Sequence, residues 1–191
     1  MTIAKDTIYT FSGTKFALGT DSVADVNFID IAHALAHQCR FTGHLRDFYS
    51  VAQHSCYVAH LMALRGHSKH TLQVALMHDA SEAYLSDIAR PFKGSVGGYK
   101  EIEEKIQTLC FRAFGITQAM YDASQPDLKE CDMLACFVEA RDMHNGPVEE
   151  FEQYAEFKDL IDREPTLVPL VPWKAKDLFV EMAQKLEMWH V

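Results

Sequence analysis

The sequence lacks several features that would place it outside the ordinary globular proteins. It has five cysteines, an odd number, and no CxxC pair among them, so neither a disulfide framework nor a thiolate zinc site is expected. No stretch of about 18 apolar residues occurs, and the first residues show no long apolar run behind a basic start, which predicts neither a membrane span nor a leader. We therefore expect a cytoplasmic protein without a membrane partner.

Positive charge is also in short supply. The chain of 191 residues carries 18 Lys and Arg against 27 Asp and Glu, a net charge of -9. This balance disfavours long nucleic acid as a partner, because phosphates would be repelled and no basic stripe is present. A small anion can still bind locally beside a cation. The length fits one domain with one hydrophobic core.

Apolar residues recur mostly at helical spacing, which predicts an all-α fold. Two short β-prone runs, 8–11 and 15–18, flank Ser12-Gly13-Thr14 and predict a small N-terminal hairpin. Ser50 followed by Gln53 is a capping-box signature for a helix that ends near Gly66. In total we expect six or seven helices; the others start near residues 28, 68–71, 102, 126–127, 151 and 173.

The stretch from Met77 to Ser86 reads MHDASEAYLS and is the densest group of ionisable residues in an apolar context. On a continuous helix, His78 and Glu82 would share a face, and Asp79 would lie one position round. The preceding residues are apolar, so these polar groups must be satisfied inside the protein. A metal ion would satisfy them, and so would a hydrogen-bonded pair between His78 and Asp79; the stretch alone leaves both open.

Two further ionisable residues, His54 and Asp132, lie on apolar faces of other predicted helices. Together with His78 and Asp79 they form a plausible site of two histidines and two aspartates. Imidazole and carboxylate suit a borderline or hard divalent ion and leave coordination positions for water. A metal lowers the pKa of such a water, and Glu82 could then orient or deprotonate it, or protonate a leaving oxygen.

Three blocks of the sequence resemble the HD-domain phosphohydrolases, whose pattern is a lone His, then His-Asp, then a distant Asp. The blocks are RFTGHLRDFYSVAQHS, ALMHDASEAYLSDIARPFK and LKECDMLACFVEARD. They are similar to small bacterial and phage nucleotide phosphohydrolases of that superfamily. The resemblance covers residues 28–142 and implies that residues 1–191 form a single HD domain, a helical bundle with a small N-terminal hairpin.

The resemblance implies a role for each residue of the metal centre. His54 matches the first ligand, His78 and Asp79 the central pair, and Asp132 the last ligand of a divalent ion, which would be Mn, Co, Zn, Fe or Mg. Glu82 matches the acid proposed as catalytic. Asp87 matches a further residue close to the substrate, and we assign it to the catalytic group as well.

The resemblance also implies substrate contacts. Arg40 and Phe41 match an Arg-aromatic pair that contacts phosphate and sugar, and Lys93 matches another residue near the substrate. Arg46 is a second candidate for phosphate. His44 follows Gly43 in the same loop and either lines the pocket or is simply exposed.

The function implied is that of a metal-dependent phosphohydrolase acting on small nucleotides. It would remove phosphate from deoxynucleoside monophosphates as a 5'-nucleotidase, or triphosphate from deoxynucleoside triphosphates, as in phage relatives that deplete dATP. No GxxxxGK[ST] segment is present, so a nucleotide would be a substrate and not an energy source. Relatives imply a homo-oligomer. The alternatives are a catalytically silent nucleotide-binding regulator and a hydrolase of guanosine tetraphosphate-type signalling nucleotides.

Overall fold

The computed structural model describes residues 6–189 and opens with the predicted hairpin. Strands β1 (Thr7–Tyr9) and β2 (Lys15–Ala17) pair antiparallel. Between them, Ser12 donates from its backbone N and its Oγ to the two carboxylate oxygens of Asp30. These hydrogen bonds attach the hairpin to the first helix of the bundle.

The rest of the described chain is mostly helical, which confirms the predicted all-α class with a small hairpin. None of these helices is long and apolar enough to cross a membrane. The α-helices within residues 6–189 are α1 (Phe28–His37), α2 (Val51–Leu64), α3 (Lys69–Leu76), α4 (Glu82–Leu85), α5 (Arg90–Lys93), α6 (Tyr99–Ala113), α7 (Gln118–Met143), α8 (Tyr154–Ile161) and α9 (Pro172–Lys185).

Helix α2 lies at the centre of the bundle. It packs against α1, α3, α7 and α9, and every residue from Val51 to Ala59 is buried. This part of the helix has no solvent face on which to place polar groups, so each of its polar side chains needs a partner inside the protein. His54 is one of these side chains, and it is completely buried.

The continuous helix expected through residues 77–86 is wrong. Helix α3 ends at Leu76, and residues 77–81 form turns before the short α4 begins at Glu82. The reason is a change of hydrogen-bond pattern. The N–H of Ala80 donates to Met77 and that of Glu82 to Asp79, so the chain tightens into three-residue steps. Residues 6–189 contain nine α-helices instead of six or seven. The increase arises because the helix expected from residues 68–71 onward is divided into α3 and α4, and α5 forms after them.

The helix expected to open at Pro126 or Asp127 begins earlier, at Gln118. The Thr117 side chain caps it by accepting from the N–H of Met120 at 3.2 Å. Pro126 therefore lies inside α7, where it cannot donate to the carbonyl of Asp122. Both residues are exposed, so water can satisfy that carbonyl and the helix continues.

The capping signature at Ser50 correctly predicts the start of α2. The buried Ser50 Oγ accepts from the N–H of Gln53 at 3.1 Å. The Gln53 side chain does not complete a capping box, because it bonds instead to the carbonyl of Val168 and the N–H of Leu170, each at 2.8 Å. The cap thus fixes the end of the helix that carries His54.

Replacing Ser50 with Ala should lower the free energy of unfolding by about 1 kcal/mol, because the first turn of α2 loses its acceptor. Urea denaturation followed by circular dichroism measures this. Ser68→Ala is the matched control: it removes the longer, exposed cap of α3, at 3.3 Å, and should cost less. Equal stability of Ser50→Ala and the wild type would contradict this role for the cap.

Candidate metal centre

The structure brings four predicted ligands together from three parts of the chain. His54 comes from α2, His78 and Asp79 from the turns after α3, and Asp132 from α7. Ligand atoms of His54, His78 and Asp132 all lie within 4.8 Å of one another, so this cluster could hold a metal ion. His54 Nε2 lies 3.1 Å from Asp132 Oδ1, and Asp79 Oδ2 lies 3.7 Å from His54 Nε2 and 3.2 Å from His78 Nε2.

Both imidazole rings are oriented by a partner on the opposite nitrogen. His54 Nδ1 donates to Glu139 Oε1 at 2.7 Å, and His78 Nδ1 donates to the carbonyl of Ala75 at 2.8 Å. Each neutral ring therefore presents an Nε2 lone pair to the centre. Both Nε2 atoms are buried and lack a well-formed hydrogen-bond partner among the described residues. Lone pairs facing carboxylates need a cation between them, so the donor set fits a divalent metal.

Without a metal, protonation of His78 neutralises part of the negative charge of the two aspartates. Burial lowers the pKa of His78, but the charges of Asp79 and Asp132 outweigh burial and raise this pKa to about 9. Burial by itself would raise the pKa of Asp79, yet His78 and His54 hold that pKa well below its usual range. Burial acts in the same way on Asp132, and the neighbouring His54 again lowers its pKa. The two carboxylates of the centre therefore stabilise a positive charge next to them.

Glu139 is a residue of the candidate site that the sequence reasoning missed. Its carboxylate is completely buried and joins two partners, His54 Nδ1 and the Nε of Arg40, the latter at 2.8 Å. Glu139 lies seven residues, or two helical turns, after Asp132, so both acids point from one face of α7. That spacing, within the apolar run LACFVEA, was the signal that could have revealed it.

Gln107 of α6 holds the turn that carries the His-Asp pair. Its Nε2 donates to the carbonyl of Met77 at 2.8 Å, and its Oε1 accepts from the N–H of Ser81 at 2.9 Å. These bonds bracket His78 and Asp79 on both sides. The glutamine therefore replaces the backbone hydrogen bonds that a continuous helix would have made.

Glu82 is buried at the start of α4. Lys93 Nζ donates to its Oε1 at 3.1 Å, while Oε2 is buried without a hydrogen-bond partner among the described residues. Burial raises the pKa of this carboxyl well above its usual range, and the nearby charges of Asp79 and Asp87 raise it further. Glu82 is thus a desolvated acid, and one of its carboxylate oxygens is buried without a hydrogen-bond partner among the described residues.

Asp87 lies half-buried after the turn that ends α4. The preceding Ser86 adopts a positive φ of 74° and its carbonyl accepts from the hydroxyl of Tyr99 at 3.1 Å. Burial raises the pKa of Asp87; Arg40 opposes this effect and Asp79 reinforces it. The structure therefore places this predicted residue in the electrostatic field of the centre.

Two predicted phosphate contacts, Arg40 and Lys93, are each paired with a buried or half-buried acid. Arg40 donates through Nε to Glu139, and Lys93 donates to Glu82 and, at 2.7 Å, to Glu103. These pairs hold both cations in fixed positions and also neutralise part of their positive charge.

The remaining predicted substrate residues lie in the loop after α1. Phe41 has a φ of 53°, unusual for a residue with a side chain, and its ring lies 5.8 Å from the Arg40 guanidinium. His44 is exposed. Arg46 is exposed and donates to the carbonyl of Asp142 near the end of α7. Of this loop, the structure thus associates Arg40 and Phe41 with each other, while Arg46 bonds to α7.

Comparison with known proteins identifies relatives but no activity. No family model matches the chain. It is 36% identical over 179 residues to the Escherichia coli (strain K12) "Uncharacterized protein YfdR", covering 91% of this chain and 92% of that protein. It is 32% identical over 134 residues to the Rhodobacter capsulatus "Uncharacterized protein RCAP_rcc00048", covering 68% of each. The chain belongs to the family of YfdR. Membership of the HD superfamily stays a prediction.

Divalent metal should bind more tightly as pH rises, because the ion must displace a proton from His78. A histidine with a raised pKa contributes stability that is fully present below about pH 6.5 and lost as pH rises through about 9. Between pH 7 and 8.5, affinity for Mn²⁺ or Co²⁺ should rise about tenfold per unit. Calorimetric titration in two buffers measures both affinity and proton release.

Asp79→Ala should remove the metal from the purified protein. Full occupancy of the metal site in Asp79→Ala would contradict the ligand set. In the pH titration of the wild type, a metal affinity that does not change with pH would contradict proton displacement from His78.

Gln107→Ala should weaken metal affinity by about 10- to 100-fold, as expected when a group that orients ligands is lost. The matched control is Gln184→Ala, which truncates an exposed glutamine on α9. Metal titration monitored by calorimetry compares the two variants with the wild type. Equal affinity in all three proteins would show that the turn is held without Gln107.

Proposed function

We propose that this protein is a metal-dependent phosphohydrolase that acts on small nucleotides, in particular deoxynucleotides. The observation that carries the proposal is the pair of buried Nε2 atoms of His54 and His78, which point at two carboxylates. Near them, the Oε2 atom of Glu82 is buried without a hydrogen-bond partner among the described residues. A purely structural site would have no use for a desolvated acid with an unpaired oxygen. The resemblance of the three sequence blocks supports the same class of reaction.

Phosphoryl transfer requires charge neutralisation and a positioned nucleophile more than covalent chemistry. His54, His78, Asp79 and Asp132 would hold the divalent ion, which when bound supplies Lewis acidity and activates water. Arg40 engages Glu139 through Nε, so its terminal nitrogens can face phosphate oxygens.

Glu82 is positioned for proton transfer. Its Oε1 is held by Lys93, and its backbone carbonyl accepts from the side chain of Gln38 at 2.8 Å. The free Oε2 would accept the proton of the attacking water as the water oxygen bonds to phosphorus. The bond between phosphorus and the nucleoside oxygen then breaks, and this oxygen leaves with the proton that Glu82 returns. The negative charge of Asp87 would raise the pKa of Glu82 and so favour proton acceptance by Glu82.

Two substrates fit this chemistry. A deoxynucleoside monophosphate would release inorganic phosphate, and a deoxynucleoside triphosphate such as dATP would release triphosphate. In both reactions, water attacks the phosphorus next to the sugar and the nucleoside oxygen departs.

A panel of deoxynucleoside monophosphates and triphosphates with Mn²⁺ or Co²⁺ tests the proposal directly. Glu82→Gln should lower kcat by at least about 100-fold, because proton transfer contributes that much or more, while metal content stays that of the wild type. Released phosphate and triphosphate are separated by ion chromatography. Glu101→Gln, an exposed acid on α6, is the matched control and should retain activity.

Turnover of no nucleotide by the wild type would contradict an enzyme. Nucleotide binding that is the same in the wild type and Glu82→Gln, with turnover in neither, would instead indicate a regulator.

A further inference from the structure

A groove runs from the metal centre between α6 and the first half of α7. It has a volume of about 560 Å³, within the usual range for small-molecule sites, and His78, Asp79 and Asp132 line one end of it. The two helices present polar side chains to each other across this space. The polar residues of its walls include Lys100, Glu103 and Gln107 from α6, and Tyr121, Gln125 and Lys129 from α7.

Polar facing sides are unusual for two helices at the edge of a bundle, because neighbouring helices normally pack through apolar faces. The apolar face of α6, which includes Ile106, Leu109 and Cys110, is turned to the core instead. Gln107 bonds to the turn of the metal centre and Glu103 bonds to Lys93, while Gln125 and Lys129 line the groove. The groove is therefore suited to a polar ligand.

The charges in the groove are largely balanced. Lys93 lies 2.7 Å from Glu103, and Lys100 lies 3.7 Å from Glu104. A polyphosphate chain would need a surplus of several positive charges, whereas these pairs supply none and Lys129 supplies one. The ligand part that fits is neutral and polar.

An aromatic wall and an amide refine this description. The rings of Phe111 and Tyr121 lie 5.2 Å apart, and Gln125 lines the groove one helical turn after Tyr121. Flat rings offer a stacking surface, and an amide can donate to and accept from the edge of a heterocycle. Together they match a nucleobase.

We propose that this groove holds the nucleoside part of the substrate, with the phosphate at the metal centre; the inference rests on the proposed function. Because the nucleoside is the leaving group from monophosphates and triphosphates alike, the placement holds for both reactions. Tyr121 and Gln125 are then the residues that distinguish a nucleotide from a simple phosphate ester.

The test compares 2'-deoxyadenosine 5'-monophosphate with p-nitrophenyl phosphate, which lacks a nucleoside. In Tyr121→Ala, the ratio of kcat/KM for the nucleotide to that for the small ester should fall at least about fivefold, since stacking of a base on an aromatic ring is worth that much or more. Tyr121→Phe should retain most of the ratio, and Gln125→Ala should lower it. Glu130→Ala truncates an acid that bonds to Arg65, away from the groove walls, and should leave the ratio unchanged.

Calorimetric binding of the same nucleotide to each variant gives a readout independent of turnover, and it should weaken in Tyr121→Ala. An unchanged ratio and unchanged binding in Tyr121→Ala and Gln125→Ala would overturn the proposal. A change of oligomeric state in Tyr121→Ala, with the ratio intact, would also overturn it by assigning the groove to a second copy of the chain. If the wild type hydrolyses neither substrate, the proposed function fails, whereas loss of nucleotide binding in Tyr121→Ala would still support the groove as the nucleoside site.

Discussion

The buried carboxylate of Glu139 is the interaction on which the arrangement of the centre depends. One oxygen accepts from His54 of α2, and the other accepts from Arg40 of the loop after α1. Removing one member of a buried ion pair typically costs about 3–5 kcal/mol, because the remaining charge is left without a partner. Glu139 thus fixes the tautomer of a candidate metal ligand and the position of a cation together. This geometric coupling holds Arg40, the proposed phosphate contact, at a fixed place relative to the candidate metal centre.

The second constraint is the interruption after Leu76. A continuous helix would direct His78 and Asp79 to different sides, since consecutive residues are separated by about 100° around the helix axis. The turns at residues 77–81 bring the imidazole and the carboxylate to 3.2 Å of each other. The Met77 carbonyl and the Ser81 N–H, which would bond to each other in a continuous helix, each bond to the Gln107 side chain instead. The local loss of helix is therefore part of how the site is built.

The features that the sequence predicted well are those that depend on local patterns. The class of fold, the hairpin and the cap at Ser50 follow from spacing and turn chemistry within a few residues. The structure also brings His54, His78, Asp79 and Asp132 together, as their positions in apolar segments suggested.

What the sequence did not predict depends on contacts between distant segments. The seven-residue spacing places Glu139 on the same face of α7 as Asp132, but it does not reveal the partners of Glu139, which come from α2 and the loop after α1. Gln107 of α6 bonds to the turn that interrupts the predicted helix, although it lies 26 residues after Ser81. The periodicity of apolar residues does not predict such a bond. Helix propensity is a weak signal that tertiary hydrogen bonds can override.

The most direct test of the account is anomalous diffraction from a crystal soaked in Mn²⁺. The account predicts one anomalous peak, or a close pair of peaks, bonded to Nε2 of His54, Nε2 of His78 and carboxylate oxygens of Asp79 and Asp132. The absence of a peak between these four side chains, or an ion bound only elsewhere on the protein, would contradict it.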